Sequence, residues 1–393
     1  MSPCSGANTL GVGVIGAGWL GDVHARAWSR LRHHYPELGV RPRFVAVADS
    51  VPVAREAARR KHEFEQSYAD WRELVADPDV EVVSVTAPNA LHRELGVAVA
   101  EAGKHLWIEK PVGLSVDDAR AVADAAAAAG VQATVGFNYR VVPAVVQLRE
   151  LVASGAIGTP THANVHLLTD YAAHPLGLLT WRYSLDNGGH GVLGDLASHA
   201  VDLARATLGD IARLVAETAT FITERPVVPA GQATYGHGLG EPDAPTGAVE
   251  NEDYVVALAR TTDGVLLTIE CSRVAVGEQN NYGIEVHGTK GLVAWDFRAP
   301  GELRLSTGDV YADQPTRRVL VGPGAGDHAR FQPGAAIPLS YDDTKVIELA
   351  GLVRSMLTGV PEGAQLADAV AAAEALDAMV RSAAGAGWVD VPR

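Results

Sequence analysis

The sequence predicts an α/β chain of two domains that divide near residue 139. Three observations lead there. With 393 residues, the chain exceeds what one hydrophobic core ordinarily organises. In the first third, strand-like and helix-like runs alternate, and several strands are apolar on both faces ("VGVIG", "FVAVA", "VEVVSVTAP"). That is the pattern of a parallel sheet covered by helices on both sides. Beyond Tyr139, strand follows strand through turns such as Thr262-Asp263-Gly264 and Gly288-Thr289-Lys290-Gly291, which indicates an antiparallel sheet.

The first strands are expected at residues 10–15, 43–48, 80–87, 105–108 and 132–137, with helices at 20–31, 53–63, 90–102 and 116–129, the rhythm of βαβ units. A helix over 143–153 then precedes a strand in "GAIGTPTHANVHLLT". Further strands are expected at 213–222, 253–259, 264–271, 282–287 and 291–296. This makes residues 140–393 an α+β domain, with helices on one sheet face and the other face free. Two Gly- and Pro-rich stretches, 226–247 and 322–334, are longer than ordinary connections and are expected to serve function, an oligomer contact or mobility. The tail reads as helices over 342–357 and 365–383.

A net charge of −15 argues against a duplex-binding surface, which needs clustered Lys and Arg. The short Arg59-Arg60-Lys61 run reads as a solvated helix end. Of the two cysteines, Cys4 falls in an N-terminus expected to be mobile, so no structural disulfide with Cys271 is expected. "MSPCSGANTL" has no basic region followed by an apolar stretch, so no signal peptide is expected. The most apolar helix, 121–129, is broken by Asp124 and too short to span a bilayer. The expectation is a cytoplasmic protein without nucleic-acid or membrane partners.

Gly16-Ala17-Gly18-Trp19-Leu20-Gly21 follows an apolar strand and opens a helix. In that setting Gly16 permits the tight turn, Gly18 lets a pyrophosphate approach the backbone, and Gly21 permits close packing. The helix N-terminus then offers its N–H groups to phosphate, with Trp19 and Leu20 beside it. Asp49 ends the next strand, where a carboxylate accepts the ribose 2′-hydroxyl of NAD; it can equally cap the following helix. Its charge repels a 2′-phosphate, so NAD is expected over NADP. Residues 1–139 thus read as a Rossmann dinucleotide-binding domain.

Three further constellations carry possible chemistry. Thr86-Ala87-Pro88-Asn89, with His92 after it, follows a strand and also fits a plain helix start. Glu109-Lys110-Pro111 ends another strand; a salt-bridged terminus is the simple reading. Beside a nicotinamide, however, a partly desolvated Lys110 has its pKa lowered and becomes a general base, aimed by the proline. Last, "NGGHGVLGDLASHAVDLA" leads a Gly-rich run into a helix with Asp195, His199 and Asp202 on one face. No further metal ligands accompany them, so no metal is expected. Asp195 as a cap and His199 as a polar core residue stay open beside a catalytic role.

Taken in order, Gly16 to Gly21, Thr86-Ala87-Pro88-Asn89 with His92, Glu109-Lys110-Pro111, Gly136-Phe137-Asn138-Tyr139-Arg140, and Asp195 with His199 resemble the Gfo/Idh/MocA oxidoreductases. The resemblance implies a large, open, mostly antiparallel sheet in the second domain, a cis peptide before Pro111, and dimers or tetramers through that sheet. It implies that Lys110 and His199 serve the hydroxyl being oxidised, supported by Asp195. Thr86, Pro88, Asn89, His92, Glu109, Lys110 and Asn138 join Gly16, Gly18, Trp19, Leu20 and Asp49 on the cofactor. Lys110, Asn138, Tyr139, Arg140, Trp181, Arg182, Asp195 and His199 face the substrate. "FNYRVVPAV", Trp181-Arg182, "GDLASHAVDLAR" and "NNYGIEVHGT" resemble family members that oxidise the C3 hydroxyl of an anhydro-sugar or related pyranose with NAD. The 226–247 stretch and Gly189-His190-Gly191 bear on that pocket, so the expectation extends to a pyranose-like polyol.

The leading reading is a dehydrogenase in which Lys110 takes the hydroxyl proton, directly or through His199, while hydride leaves for C4 of the nicotinamide. Trp181 suits the apolar face of a pyranose, or is an ordinary core tryptophan. The alternatives are an inositol or glycoside dehydrogenase, a non-catalytic NAD-binding regulator, and transient oxidation that drives glycoside cleavage.

Overall fold

The computed structural model describes residues 8–228 and 238–392. Cys4 and the middle of the 226–247 stretch lie outside them. The chain forms two compact units. One holds the chain up to Gly113 with Asp117–Asn138 and Ser340–Val370; the other holds Leu114–Val116, Tyr139–Leu339 and the chain from Ala371.

The first unit contains β1 (Asn8–Ile15), α1 (Trp19–His34), β2 (Val40–Ala48), α2 (Pro52–His62), β3 (Gln66–Tyr68), α3 (Trp71–Ala76), β4 (Val82–Val85), α4 (His92–Glu101), β5 (His105–Ile108), α5 (Val116–Ala129) and β6 (Ala133–Val135). Its six strands pair in parallel in the order β3-β2-β1-β4-β5-β6. The strands that read as apolar on both faces are central: all four residues of β4 are buried, as are Val12, Val14 and Ile15 of β1. Strand order reverses between β1 and β4, so a crevice opens at their carboxyl ends, where ligands of such sheets bind. The short edge strand β3 and helix α3 are additional to the elements the sequence predicted.

The second unit contains α6 (Pro143–Ala153), β7 (Pro160–Leu168), α7 (Leu185–Gly188), a π turn (Leu193–Ala197), α8 (Ser198–Leu208), β8 (Ile211–Ala219), β9 (Glu224–Pro226), β10 (Thr246–Ala248), β11 (Tyr254–Thr261), β12 (Leu266–Ser272), β13 (Asn281–Gly288), β14 (Gly291–Asp296), β15 (Glu302–Thr307) and β16 (Arg317–Leu320). Late in the chain come α9 (Tyr341–Thr358), α10 (Leu366–Arg381) and β17 (Val389–Asp390). Nine strands form one sheet in the order β16-β15-β14-β13-β7-β12-β11-β8-β17. Every neighbouring pair is antiparallel except β7 and β12. β11 alternates: Val255, Ala257 and Ala259 are buried, Val256 and Leu258 exposed. Helix α8 packs over β7 and β12, and α6 against β14. One face is thus covered and the other is open.

Ser340–Val370 departs from the sequence-based division, which gave all of 140–393 to the second domain. This segment belongs to the first unit. Ser340 and Asp343 form a reciprocal capping box that starts α9. The helix lies on α1, where Arg26 Nε donates to Asp342 at 2.6 Å and Arg30 pairs with Asp343. Helical periodicity shows that α9 has an apolar face, but not which element covers it. Among the described residues, no helix is long and apolar enough to cross a membrane.

Candidate active site

The glycine turn at the head of α1 is shaped by close backbone approach. Gly16 has φ +98°, and a Cβ there would meet the Thr86 backbone at 2.8 Å. A Cβ on Gly21 would lie 2.0 Å from the Gly16 carbonyl oxygen. Gly18 differs: nothing lies within 4 Å of its Cβ position, and as N-cap of α1 it supplies no side-chain cap. The helix N-terminus is therefore open, the arrangement a pyrophosphate requires. Thr86 Oγ1 donates to the Gly16 carbonyl at 2.8 Å, tying the end of β4 to the turn. Trp19 is exposed and stacks on Tyr341 at 5.5 Å, with Leu20 half-buried beside it.

Asp49 does not cap α2, whose N-cap is Val51 with no side-chain cap; it binds the two flanking turns. Its Oδ1 accepts the Val51 N–H and its Oδ2 the Ala17 N–H, each at 2.8 Å. Each carboxylate oxygen keeps a second lone pair for a ribose hydroxyl. The open turn and this carboxylate fit a dinucleotide.

At the carboxyl ends of β4 and β5, Pro88 and Asn89 open a short 3-10 turn (Asn89–Leu91) that runs into α4. His92 is buried, with Nδ1 2.7 Å from the Pro111 carbonyl and Nε2 2.7 Å from the Ala87 carbonyl. It braces two loops, so neither ring nitrogen is presented to a cofactor as the sequence reading expected. Burial lowers its pKa, against the two carbonyls. The Lys110–Pro111 bond is cis, and Lys110 is half-buried.

Glu109 is turned into the protein, not toward a cofactor. Its Oε1 lies 2.5 Å from Lys345 Nζ and 3.0 Å from His24 Nε2. Asn138 is buried; its Nδ2 donates to Thr344 Oγ1 at 2.8 Å, while its Oδ1 has no hydrogen-bond partner among the described residues.

In the second unit, Asp195 sits in the π turn and His199 in the first turn of α8. Such wide turns interrupt helices often at functional sites. Tyr171, after β7, donates its hydroxyl to Asp195 Oδ2 at 2.6 Å. Burial and then the Asp195 charge raise the tyrosine pKa well above 10, so it stays a donor. Nothing in the sequence around Tyr171 signals this contact. The His199 ring meets Tyr139 edge-to-face at 4.9 Å, and its carbonyl accepts the Tyr282 hydroxyl at 2.9 Å. Arg140, expected at the substrate, pairs with buried Asp202, to which its Nε donates at 3.1 Å. Trp181 is half-buried and opens a 3-10 turn (Trp181–Tyr183), with the Arg182 guanidinium 4.5 Å from its ring. It is not a core tryptophan. Among the described residues, no cluster of three or more His, Cys, Asp or Glu could hold a metal.

A doubly wound parallel sheet with an open glycine turn at the head of α1 is the arrangement of a dinucleotide-binding domain. The chain belongs to the Gfo/Idh/MocA oxidoreductases. The oxidoreductase family's NAD-binding Rossmann fold matches residues 10–137, and the GFO/IDH/MocA C-terminal domain matches residues 145–294. Its cofactor is NAD. The chain is 34% identical over 388 residues to levoglucosan dehydrogenase of Pseudarthrobacter phenanthrenivorans, covering 98% of each chain. It is 29% identical to inositol 2-dehydrogenase of Rhizobium meliloti, covering 96% of this chain and 97% of that one. Levoglucosan dehydrogenase in complex with NADH and levoglucosan superposes with a TM-score of 0.91 at 32% identity, over 98% of this chain and all (100%) of that one.

Proposed function

We propose that the protein is an NAD-dependent sugar dehydrogenase that oxidises a secondary hydroxyl of an anhydro-sugar or related pyranose, at C3, to the ketone. The observation that carries this reading is the end-to-end similarity to levoglucosan dehydrogenase, 98% of both chains, with Lys110, Asp195 and His199 all present. When bound, NAD supplies the hydride acceptor. Lys110 takes the hydroxyl proton, directly or through His199, while the hydride leaves the same carbon. Asp195, held by Tyr171, supports that exchange. Gly16, Gly18, Trp19, Leu20, Asp49, Thr86, Pro88 and Asn89 hold the dinucleotide, and Asn138, Tyr139, Trp181 and Arg182 hold the sugar. Trp181 offers an apolar ring to a pyranose face. Arg140 and His92 shape the site through Asp202 and the two loops.

The protein works in the cytoplasm as a homodimer or homotetramer. The open sheet face, with Val256, Leu258 and Leu266 exposed, supports an association through the second unit. The test is NADH formation with levoglucosan, inositols and simple glucosides, using the wild type and Lys110→Ala. Turnover of levoglucosan or a related pyranose that Lys110→Ala abolishes is expected. No NADH from any sugar, with Lys110→Ala indistinguishable, rejects the reading.

A further inference from the structure

The second unit buries a cation that the proposed reaction does not use. Arg225, in β9, is 0% exposed. Asp253, whose charge it feels, pairs with Arg273 at 2.8 Å. The bonds of Arg225 go to the backbone. Its Nη2 donates to the Ala172 carbonyl at 2.5 Å and its Nη1 to the His174 carbonyl at 3.1 Å, while Nε has no hydrogen-bond partner among the described residues. The guanidinium carbon lies 4.3 Å from the centre of the Tyr183 ring, and that of Arg273 lies 4.8 Å from it. Gly177 makes room for the fork: a Cβ there would stand 2.7 Å from Arg225 Nη1.

A buried charge is costly unless it is paired or hydrogen-bonded, and an apolar side chain would fill the same space at less cost. What arginine adds is a planar fork that reaches two carbonyls while its face lies on an aromatic ring. Both carbonyls belong to one loop, and that loop begins beside Tyr171. The Ala172 N–H donates to the Arg273 carbonyl at 3.0 Å, so residue 172 is held through both of its peptide groups. Ala172 and Tyr183 share a small apolar cluster, with Tyr171 packed against it. Tyr171 in turn donates to Asp195 Oδ2 at 2.6 Å. Arg225 is therefore two bonds and one peptide link from the Asp195 carboxylate.

We propose that Arg225 is a positioning residue for Asp195: it pins the Ala172 carbonyl and, through the adjoining Tyr171, holds the Asp195 carboxylate in place for proton exchange. This rests on the proposed role of Asp195. Without the fork, the loop keeps its apolar contacts but loses its two carbonyl anchors, and the Tyr171 hydroxyl no longer meets Asp195 at one fixed position. Small displacements of that kind cost rate before they cost binding.

The test is a double-variant cycle on NADH formation at saturating NAD, with whichever of levoglucosan, the inositols and the glucosides turns over fastest. It compares wild type, Arg225→Met, Tyr171→Phe and Arg225→Met/Tyr171→Phe, with Asp195→Ala as the reference. Arg225→Met is expected to lower kcat by roughly tenfold, with the sugar KM within about threefold and NADH affinity, read by fluorescence, within about twofold. In the Tyr171→Phe background the same substitution is expected to cost less than about threefold, because the link it acts through is already cut. A folded Arg225→Met enzyme with wild-type kcat overturns the inference, and so does a loss that multiplies in full with that of Tyr171→Phe. A loss confined to KM places the effect at the Trp181–Tyr183 turn and also overturns it. If Arg225→Met does not fold, Arg225→Lys decides by the same cycle and the same outcomes: lysine keeps a cation for Tyr183 but carries its donors on one atom, without the fork. An Asp195→Ala enzyme with full activity instead rejects the role of Asp195, on which the inference stands.

Discussion

The Tyr171 hydroxyl donates to Asp195 Oδ2 at 2.6 Å, and Asp195 stands one turn before His199. The donor comes from the loop after β7 and the acceptor from the π turn, so the bond fixes an acidic side chain from outside its own helix. A hydrogen bond to a charged group contributes about 1.5–3 kcal/mol. Tyr171→Phe is therefore expected to lower kcat/KM by roughly 10–100-fold with NADH affinity unchanged. Because the tyrosine stays protonated, the loss should be uniform between pH 6 and 9. A phenylalanine variant with wild-type kcat/KM would separate Tyr171 from the chemistry.

Gly18 offers a cleaner separation of cofactor binding from folding. Its Cβ position is empty to 4 Å and its φ is −78°, so alanine costs the protein little. The same methyl group would stand where a pyrophosphate must approach the backbone. Gly18→Ala is expected to melt within about 0.5 kcal/mol of wild type, as surface substitutions do, yet to bind NADH at least tenfold more weakly. Gly21→Ala should fail differently, because its Cβ would collide with the Gly16 carbonyl in the protein itself at 2.0 Å. Equal NADH affinity in Gly18→Ala and wild type would contradict the phosphate role of this turn.

Asp49 sets a charge at the end of β2. Asn keeps an acceptor for one backbone N–H and removes the charge that repels a 2′-phosphate. Asp49→Asn is expected to weaken NADH binding and to narrow the preference over NADPH by about tenfold, near 1.4 kcal/mol. Fluorescence titration with both nucleotides measures it. A preference that stays as wide as in wild type would assign Asp49 to the turn alone, through Ala17 and Val51.

The parts legible in the sequence are those whose cause is local. Helices α5 and α6 occupy the residues that periodicity assigned, 116–129 and 143–153. The glycine turn, Asp49 and the end of β5 follow from strand–helix punctuation. β3, of three residues, and β16, with Arg317 and Arg318 exposed, escaped because short edge strands carry little hydrophobic pattern. Asp202 read as a third member of the Asp195–His199 face. Its partner Arg140 lies 62 residues away and is chosen by tertiary packing. The same holds for Glu109: beside Lys110 in sequence, it finds its cation 236 residues later in α9. Pairings of that kind leave no trace in local spacing.

Buried Glu348, with Oε1 3.3 Å from Lys345 Nζ, should be visible in stability. Its folded-state pKa is raised from 4.5 to about 7, chiefly by burial. Such a group contributes stability that is full below its unfolded value and is lost as pH rises toward the folded one. His24, lowered from 6.5 to about 4, acts in the opposite sense: its contribution is present above 6.5 and lost as pH falls through about 4. Between pH 4.5 and 6.5 the two slopes oppose each other in the wild type, so its stability curve alone is uninformative. Glu348→Gln removes one slope and keeps the side-chain shape, with Oε1 still able to accept from Trp107. The variant is therefore expected to gain on the wild type between pH 5 and pH 8. At about 1.4 kcal/mol for each pK unit, the gain is on the order of 3 kcal/mol at most. Thermal unfolding of both proteins at the two pH values measures it. A stability difference that does not change with pH would mean that Glu348 is already ionised below pH 5, with Lys345 shared equally between the two carboxylates.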